Sequence, residues 1–352
     1  MLDYIVVGLG LSGLAFSDEL ENANKKYVVF ENNSQKSSYV AGGIFNPVIL
    51  KRFTPAWNAA EQMQTALPFY KNLEKKLDSK FIHNWNIYRR FHSVEEQNDW
   101  YVATDKPKLA EFLDPKIQKN SNPNIIAEFS FGKVLKTGNI DTENLLDSYR
   151  NHLKAKGIFK EMKFDYSLLN ITEDHFEYNG LQSKRIVFCE GFGLKQNPYF
   201  NYLPLRGNKG EYIIVRSKDL KLNFAVKSSV FVMPLGDDLY KVGATYDHQD
   251  KTSEATSKAR ERLINDLKKL VICDFEVVDQ VAGIRPAVSD RRPIVGAHPE
   301  IKNMYCCNGF GSRGVLIAPN MAKALIENIE NNSPLDPEID LSRFSKKHYS
   351  GN

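Results

Sequence analysis

Three glycines near the N-terminus have the spacing of a phosphate-binding turn. The run YIVVGLGLSGLA places Gly8, Gly10 and Gly13 in the pattern GxGxxG, between a strand-like stretch and a helical one. The first glycine of this pattern permits a tight turn, the second lets backbone N–H groups approach a pyrophosphate, and the third lets helix and strand pack closely. The helix N-terminus, with Leu11 and Ser12, then faces the anionic phosphates.

A carboxylate follows at the position where a dinucleotide needs one. The next strand-like run, KKYVVFEN, ends near Glu31. An acidic residue at the tip of that strand can accept hydrogen bonds from ribose hydroxyls. Strand, glycine turn, helix, strand and carboxylate in this order predict a Rossmann-type βαβ unit that binds a dinucleotide.

A second glycine-rich turn lies near the other end of the chain. The run NGFGSRGVLIAP holds Gly309, Gly311 and Gly314 around Arg313, and an apolar stretch follows at once. Like the first turn, it predicts a tight backbone turn that opens a helix.

The segment AGGIFNP carries little side-chain bulk. Gly42 and Gly43, followed by Asn46 before a proline, predict an extended backbone that a flat ring system can approach closely. A plain surface loop is the alternative.

The elements that must position these motifs alternate in kind along the chain. A helix is predicted over residues 55–78, and IDTENLLDSYRNHLKAKG predicts another that begins at Asp141 or Thr142 and stops at Gly157. The run KRIVFCEGFG predicts a strand running into a glycine turn. Three further runs, GEYIIVRS, SSVFVMPLG and LYKVGATYD, predict an antiparallel sheet. The closing helix is expected to bend or break near Pro319.

Composition and charge are those of an ordinary globular protein. The chain is 42% hydrophobic and 26% charged, and its net charge of +4 is too small to indicate a nucleic-acid surface by itself. Its four cysteines show no CxxC spacing, so we expect no metal site and no disulfide scaffold, and a reducing, cytoplasmic setting. No run reaches the roughly 18 apolar residues of a membrane helix, so we expect a soluble protein with no membrane partner.

Together these runs resemble the D-amino acid oxidase superfamily of FAD-dependent enzymes, which includes glycine oxidase and sarcosine oxidase. The resemblance covers nearly the whole chain and extends to LPLRGNKGEYIIV, VFVMPLGDDLYKVGATYD and AGIRPAVSDRRPIVG. The last of these and NGFGSRGVLIAP look closest to glycine oxidase. They look equally close to the C-terminal oxidoreductase domain of the tRNA-modifying enzyme that acts on wobble 5-carboxymethylaminomethyl-uridine.

The resemblance implies FAD as the cofactor and assigns a part of it to each motif. The first turn would hold the pyrophosphate, and Glu31 the adenosine ribose. Backbone N–H groups of the second turn would face N1 and C2=O of the isoalloxazine, where reduced flavin carries negative charge. The sarcosine oxidase branch bonds its flavin to a cysteine near the segment matching GIRPAVSD. This chain has no cysteine there, so noncovalent FAD is expected. The residues expected to complete the cofactor site are Gly42, Gly43, Asn46, Gly191, Gly309, Gly311, Ser312, Arg313, Gly314 and Val315.

Three side chains are candidates for contact with the substrate. Arg285, in GIRP, matches the arginine that pairs with a substrate carboxylate in the family, and its guanidinium suits a carboxylate bidentately; a structural salt bridge is the alternative. Arg313 either points into the site or locks the turn to an acidic neighbour. Tyr246, in GATYD, sits where the family's antiparallel sheet roofs the pocket, and a plain sheet aromatic is its alternative role.

The expected fold is α/β, with a Rossmann-like FAD-binding domain interleaved with an α+β substrate domain built on a mainly antiparallel sheet. The order of the elements assigns residues 1–50, 140–205 and 280–352 to the FAD-binding domain. It assigns residues 51–139 and 206–279 to the substrate-binding domain.

The preferred function is oxidation of the C–N bond of an amine or amino acid, glycine-like and N-substituted, by hydride transfer to flavin N5. A small-molecule amine or amino acid is therefore the expected partner, and the oligomeric state stays open. One alternative is an oxidoreductase acting on the carboxymethylaminomethyl group of a tRNA wobble uridine. The absence of a methyltransferase segment and the modest charge speak against tRNA as a partner. A flavin-binding protein without amine turnover is the other alternative.

Overall fold

The computed structural model describes residues 1–346, which form six α-helices and twenty β-strands. The helices are α1 (Leu11–Asn22), α2 (Ala59–Leu77), α3 (Val94–Thr104), α4 (Thr142–Ala155), α5 (Ser257–Lys268) and α6 (Gly314–Asn331). The strands are β1 (Leu2–Val7), β2 (Tyr27–Glu31), β3 (Ile44–Phe45), β4 (Val48–Ile49), β5 (Thr54–Pro55), β6 (Ile82–Asn84), β7 (Ile87–Arg90), β8 (Phe131–Val134), β9 (Gly138–Ile140), β10 (Phe159–Glu161), β11 (Asn170–Ile171), β12 (Phe176–Tyr178), β13 (Leu181–Phe188), β14 (Leu205–Arg216), β15 (Ala225–Lys227), β16 (Phe231–Gly236), β17 (Leu239–Gly243), β18 (Glu276–Val288), β19 (Ile294–Ala297) and β20 (Met304–Asn308).

An eight-stranded sheet carries the predicted βαβ unit. Its parallel part runs β10-β2-β1-β13-β20, and β11, β12 and β19 add antiparallel strands. Helices α1 and α6 pack against one another beside this sheet, and α4 contacts α1. On the opposite face, side chains of β1 and β2 such as Ile5 and Phe30 join a second apolar cluster. Both faces of the parallel strands are therefore buried, as apolar runs such as YIVV require.

A seven-stranded sheet in the order β18-β14-β17-β16-β15-β7-β8 forms the second layer. Every pair is antiparallel except β15 with β7. The side chains on one face, Ile213 and Val242 among them, form an apolar cluster with Leu263 and Leu267 of α5. Because side chains alternate along a strand, the other face, which carries Tyr212 and Phe231, is left to cover a cavity.

Helix boundaries differ from the sequence expectations in two places. The helix expected from residue 55 begins only at Ala59, because Pro55 lies in β5 and Asn58 has a left-handed φ of 44°. The helix at the C-terminal turn continues through Pro319 instead of breaking. A proline N cannot donate to the carbonyl four residues earlier, and here the Tyr70 hydroxyl donates to that carbonyl of Val315 at 2.9 Å.

The helix expected within IDTENLLDSYRNHLKAKG, α4, has the predicted ends. Asp141 precedes its first residue and accepts the N–H of Asn144 at 3.2 Å, which is an N-cap hydrogen bond. The helix ends at Ala155, and Gly157 follows with a positive φ of 71°.

The predicted division into two domains stays a prediction, but three of its boundaries fall inside strands: 139/140 in β9, 205/206 in β14 and 279/280 in β18. Residues 280–288 were assigned to the FAD-binding domain, whereas they belong to β18 and pair with β14 in the seven-stranded sheet. A strand pairs along its whole length, so the change of sheet comes after Val288 rather than at residue 280. Residues 347–352 of the predicted domain lie outside the described residues.

Candidate active site

Two positions of the N-terminal turn, Gly8 and Gly13, have no room for a side chain. Gly8 has a φ of 98°, and a Cβ on it would lie 2.6 Å from the carbonyl oxygen of Cys189. A Cβ on Gly13 would lie 1.9 Å from the carbonyl oxygen of Gly8. The turn therefore closes tightly onto β13, and α1 packs directly on the turn.

The other residues of this turn face a cavity, and their bonds hold the turn in place. Gly10, Leu11 and Ser12 all line the cavity. The Leu11 N–H donates to the Ser38 hydroxyl at 3.2 Å. The Ser12 hydroxyl donates to the carbonyl of Cys307 at 2.7 Å, which ties α1 to the end of β20.

Glu31 ends β2 and lines the same cavity. Its Oε2 accepts the N–H of Leu9 at 2.6 Å, so the carboxylate also braces the glycine turn. Its Oε1 accepts the N–H groups of Asn32 and Asn33 at 2.8 and 2.5 Å. Because each carboxylate oxygen has two lone pairs, acceptor capacity remains for a ribose hydroxyl on Oε2.

The C-terminal turn lies beside the first one. Both β1 and β20 pair with β13 in parallel; Val7 at the end of β1 and Cys306, two residues before the end of β20, both align with Phe188. Helices α1 and α6 therefore begin at the same sheet edge. A Cβ on Gly314 would lie 3.0 Å from the Leu11 side chain.

Part of the expected N–H array of this turn is bonded inside the protein. The N–H of Gly309 donates to its neighbour Asn308 Oδ1 at 2.7 Å, and that of Gly311 donates to the carbonyl of Pro286 at 3.0 Å. The N–H of Arg313 donates to the carbonyl of Phe310 at 3.2 Å. These three N–H groups therefore have acceptors within the protein. The prediction that this turn presents N–H groups to the flavin stays a prediction and depends chiefly on Ser312, Gly314 and Val315, which line the cavity.

The AGGIFNP segment forms another wall of the cavity. Gly42, Gly43 and Asn46 all line it. Asn46 Oδ1 accepts the N–H of Val48 at 2.9 Å, and the carbonyl of Asn46 accepts a hydrogen bond from Arg313 Nη1 at 2.8 Å. This segment is thereby held to the C-terminal turn.

The cavity that these segments enclose has a volume of about 1300 Å³, above the 300–1,000 Å³ usual for ligand pockets. It runs between the two sheets and is lined by segments from both. All predicted site residues line it except Gly13 and Gly309. The predicted members of the lining are Gly8, Gly10, Leu11, Ser12, Glu31, Gly42, Gly43, Asn46, Gly191, Tyr246, Arg285, Gly311, Ser312, Arg313, Gly314 and Val315.

Arg285 projects from β18 into this cavity and is 9% exposed. Its guanidinium lies over Gly210 of the adjacent strand, donates to the carbonyl of Thr245 at 3.3 Å, and stacks 4.7 Å from the ring centre of Tyr246. Among residues 1–346, no acidic side chain forms a salt bridge with it, so the alternative of a structural ion pair does not describe this arginine.

Two roles were considered for each of Tyr246 and Arg313, and the structure excludes one of the two for each residue. Tyr246 lies beyond the end of β17 at Gly243 and is 60% exposed, so it is not a sheet aromatic. Arg313 is bonded to the backbone of Asn46, and no acidic side chain of the described chain forms a salt bridge with it. Burial lowers the pKa of Arg313 from its usual value. Both residues reach the cavity.

Sequence reasoning missed a half-buried carboxyl in the cavity wall, that of Glu190. Glu190 lies two residues after the end of β13, accepts a hydrogen bond from the Tyr166 hydroxyl, and accepts another from Asn197 Nδ2 at 2.8 Å. Burial raises the pKa of Glu190 to about 7, and nearby Glu31 adds to the rise. The only sequence signal was an acidic residue inside the otherwise apolar run IVFCEGFG.

Comparison with known proteins identifies the chain. The profile of the FAD dependent oxidoreductase family matches residues 3–328. The chain belongs to this family of FAD-dependent oxidoreductases. The predicted family, fold class, enzymatic nature and FAD requirement are thereby confirmed.

Relatives of two kinds are similar in sequence. Glycine oxidase of Pseudomonas aeruginosa is 21% identical over 357 residues, which cover 95% of this chain and 96% of the relative. A tRNA 5-methylaminomethyl-2-thiouridine biosynthesis bifunctional protein of Campylobacter jejuni is 23% identical over 312 residues, which cover 84% of this chain and 46% of the relative. One from Legionella pneumophila is 27% identical over 43% of this chain and 27% of its own length. The chain thus spans less than half the length of these bifunctional relatives.

Solved structures show the same fold. Glycine oxidase of Geobacillus kaustophilus superposes with a TM-score of 0.81 at 18% identity, covering 97% of each chain. Iminodiacetate oxidase of Chelativorans sp. BNC1 superposes with a TM-score of 0.79 at 15% identity, covering 96% of this chain and 98% of the other.

The shape and lining of the cavity fit FAD, independently of the family match. Two helix N-termini meet at one edge of the parallel sheet, a carboxylate ends the adjacent strand, and the volume exceeds that of a usual ligand pocket. When bound, FAD supplies a two-electron acceptor. Which residue contacts which part of FAD stays a prediction. Among residues 1–346, no helix is long and apolar enough to cross a membrane, and no cluster of acidic, histidine or cysteine side chains could hold a metal ion.

Proposed function

We propose that this enzyme oxidises the C–N bond of a glycine-like, N-substituted amino acid. The observation that carries the proposal is Arg285, a buried guanidinium in the cavity wall without an acidic partner in the described chain. A buried charge is costly unless it is paired. A ligand carboxylate in the cavity would supply the missing partner.

The surroundings of Arg285 favour a small carboxylate ligand. Gly210 and Gly283 lie opposite one another on β14 and β18 and leave the strands bare of side chains beside the guanidinium. Tyr246 covers the guanidinium from the other side at 4.7 Å. The planar fork is thus held in one orientation, as a bidentate carboxylate contact requires.

In this proposal the chain itself contributes binding and orientation. Arg285 fixes the carboxylate, and the substrate's amine and Cα then lie between the seven-stranded sheet and the glycine turns. FAD would supply the acceptor for the hydride, and the chain's part is to hold the substrate's Cα–H toward it. No side-chain base is assigned, because holding the neutral amine in a reactive orientation accounts for a large part of such a rate enhancement.

The test compares Arg285→Ala and Arg285→Lys with wild type in anaerobic flavin bleaching. The substrates are an N-substituted glycine and the matching amine without its carboxylate, and FAD content is measured on the same samples. Loss of a charge-assisted bidentate contact should lower kcat/KM about 30- to 1000-fold, or roughly 2–4 kcal/mol, for the carboxylated substrate only. Equal losses on both substrates, or loss of FAD, would remove Arg285 from the substrate site.

A second candidate function is oxidation of the carboxymethylaminomethyl group of a tRNA wobble uridine. It is favoured by the relatives named for tRNA 5-methylaminomethyl-2-thiouridine biosynthesis. That group is itself an N-substituted glycine, so the Arg285 pocket would serve both functions. Bleaching by modified tRNA, with binding that weakens steeply as salt rises, would favour this candidate over a free amino acid.

A further inference from the structure

A second positively charged side chain, that of Lys227, lies in the wall of the same cavity. Lys227 ends β15 and lines the cavity, together with Lys51 from the turn between β4 and β5. The Lys227 ammonium donates to the carbonyl of Ser229 at 3.1 Å and lies 4.9 Å from the ring centre of Phe231.

Lys227 forms no salt bridge in the described part of the chain. Within residues 1–346 neither Lys227 nor Lys51 forms a salt bridge with an acidic side chain. Its partner on the neighbouring strand β7 is another cation, Arg89, which pairs with Glu96 at 2.9 Å. Burial, with Arg89 adding to it and Asp266 opposing it, lowers the pKa of Lys227 to about 8.

The acidic residues of the cavity wall lie elsewhere. They are Glu31, Asp165 and Glu190, which follow strands of the eight-stranded sheet or belong to the segments packed on it. Lys227 lies on the seven-stranded sheet, which faces the opposite side of the cavity. Its end of the cavity thus presents a positive charge that forms no salt bridge within residues 1–346.

The strand register gives the distance between Lys227 and Arg285. One row of paired residues crosses the sheet face from β15 to β18, and Arg285 lies four residues beyond its end on β18. Four strand spacings of about 4.8 Å and four residues of about 3.3 Å put the two Cα atoms roughly 23 Å apart. The row consists of Lys227, Phe231, Gly243, Tyr212 and Val281.

Both cations lie on the cavity face, since residues of one row share a face and Arg285 is an even number of residues from Val281. A carboxylate on Arg285 therefore cannot reach Lys227. Even with both side chains extended, their charges stay farther apart than the two carboxylates of iminodiacetate, which one amine and two methylene groups separate. A ligand that meets both must be longer.

We propose that Lys227 forms a second anion-binding subsite that takes a carboxylate or phosphate at the far end of the substrate's N-substituent. The proposal rests on the proposed function, because it places the amino-acid carboxylate on Arg285. It names the substrate class more closely, as an N-substituted glycine with a distal negative group.

The experiment measures the apparent Kd and limiting rate of anaerobic flavin bleaching in the FAD-loaded enzyme. One pair of probes is N-(5-carboxypentyl)glycine and N-hexylglycine, which differ in the distal charge. Another pair is 5-carboxymethylaminomethyluridine and its 5′-monophosphate. A net charge-assisted contact should make the charged member of a pair bind about tenfold more tightly. The pair that shows the gain distinguishes an aliphatic carboxylate from a nucleotide phosphate as its source.

Substitutions assign the gain to the subsite. Lys227→Met should abolish it while leaving the neutral probe within about twofold and the limiting rate unchanged, and Lys227→Arg should restore it. Lys133→Met is the matched control, because Lys133 is a half-buried lysine on β8 of the same sheet that does not line the cavity. FAD content and Tm of every variant show whether it is folded.

Two results distinguish failure of the subsite proposal from failure of the proposed function. If the neutral probes bleach the flavin and neither charged probe binds more tightly, the subsite is refuted and the proposed function stands. If no N-substituted glycine bleaches the flavin, the proposed function fails, and the subsite proposal fails with it. A gain that survives Lys227→Met also overturns the assignment.

Discussion

The position of the Arg285 guanidinium depends on the absence of a side chain at Gly210. A Cβ at Gly210 would lie 1.9 Å from Nη2 and 2.2 Å from Cζ of Arg285. These atoms are the far end of a flexible side chain, so they can move while the strand stays in place. Gly210→Ala should therefore displace the guanidinium by roughly 1.5 Å, to an ordinary contact near 3.5 Å.

A displacement of this size should be costly for turnover and cheap for folding. Misplacing a positioning group by about 1 Å can lower the rate by a factor of about 100. We expect kcat/KM for a carboxylated substrate to fall about 10- to 100-fold in Gly210→Ala. The Tm should change little or rise, because alanine reduces the freedom of the unfolded chain. FAD content should be unchanged, since the glycine turns lie on the other sheet.

A double-mutant cycle tests whether the effect passes through Arg285. Gly210→Ala is made in wild type and in Arg285→Ala, and kcat/KM is measured with one carboxylated substrate. If the alanine acts by displacing the guanidinium, it should cost nothing further once the guanidinium is gone. An equal loss in both backgrounds would refute this reasoning and place the effect in the strand backbone.

Three other substitutions test separate parts of the site. Gly10→Val should give mostly apoprotein, measured as flavin absorbance per protein, because its side chain would fill the cavity beside Ser38, where a pyrophosphate is expected; wild type should be yellow and release FAD on denaturation. Tyr70→Phe should lower the unfolding free energy by about 1 kcal/mol, measured in urea, because the Val315 carbonyl loses its donor. Glu190→Gln should change how stability depends on pH. The raised pKa, about 7, means that the stability Glu190 contributes is complete below its usual value of 4.5 and is lost as pH rises through 7. The Tm of the variant relative to wild type should therefore improve between pH 5 and pH 8, by an amount equivalent to about 1–2 kcal/mol after allowance for a half-buried group. A constant difference across that range would show that Glu190 stays ionised.

The features predicted well from the sequence are those that depend on neighbours along the chain. The GxGxxG turn with its flanking strand and helix is a local pattern, and the capping of α4 by Asp141 follows from a few adjacent residues. The family resemblance then supplied the pairing of the two distant glycine turns. Local pattern and resemblance together therefore give the fold and most of the cavity lining.

The features that were missed depend on strand register or on strand ends. Lys227 looks like a solvated lysine in an alternating strand, and only its pairing with Phe231 places it on the cavity face. Tyr246 was expected on a sheet, but β17 ends at Gly243. Glu190 owes its environment to Tyr166 and Asn197, which come from segments on either side of β13. None of these contacts leaves a periodic signal in the sequence.

The two glycine turns lie at opposite ends of the chain because one central strand brings them together. β13 accepts β1 on one side and β20 on the other, so the helices that follow these strands begin about 10 Å apart, or two strand spacings. The Ser12–Cys307 hydrogen bond of 2.7 Å closes the remaining gap between them. Arg285 is carried by the other sheet, which contributes neither turn. In the proposed function, cofactor binding and substrate binding thus depend mainly on different strands. The two sheets still meet at Pro286 of β18, whose carbonyl accepts the N–H of Gly311. Changes in β14, rather than changes near Pro286, are therefore expected to alter the choice of substrate without disturbing the turns that would hold FAD.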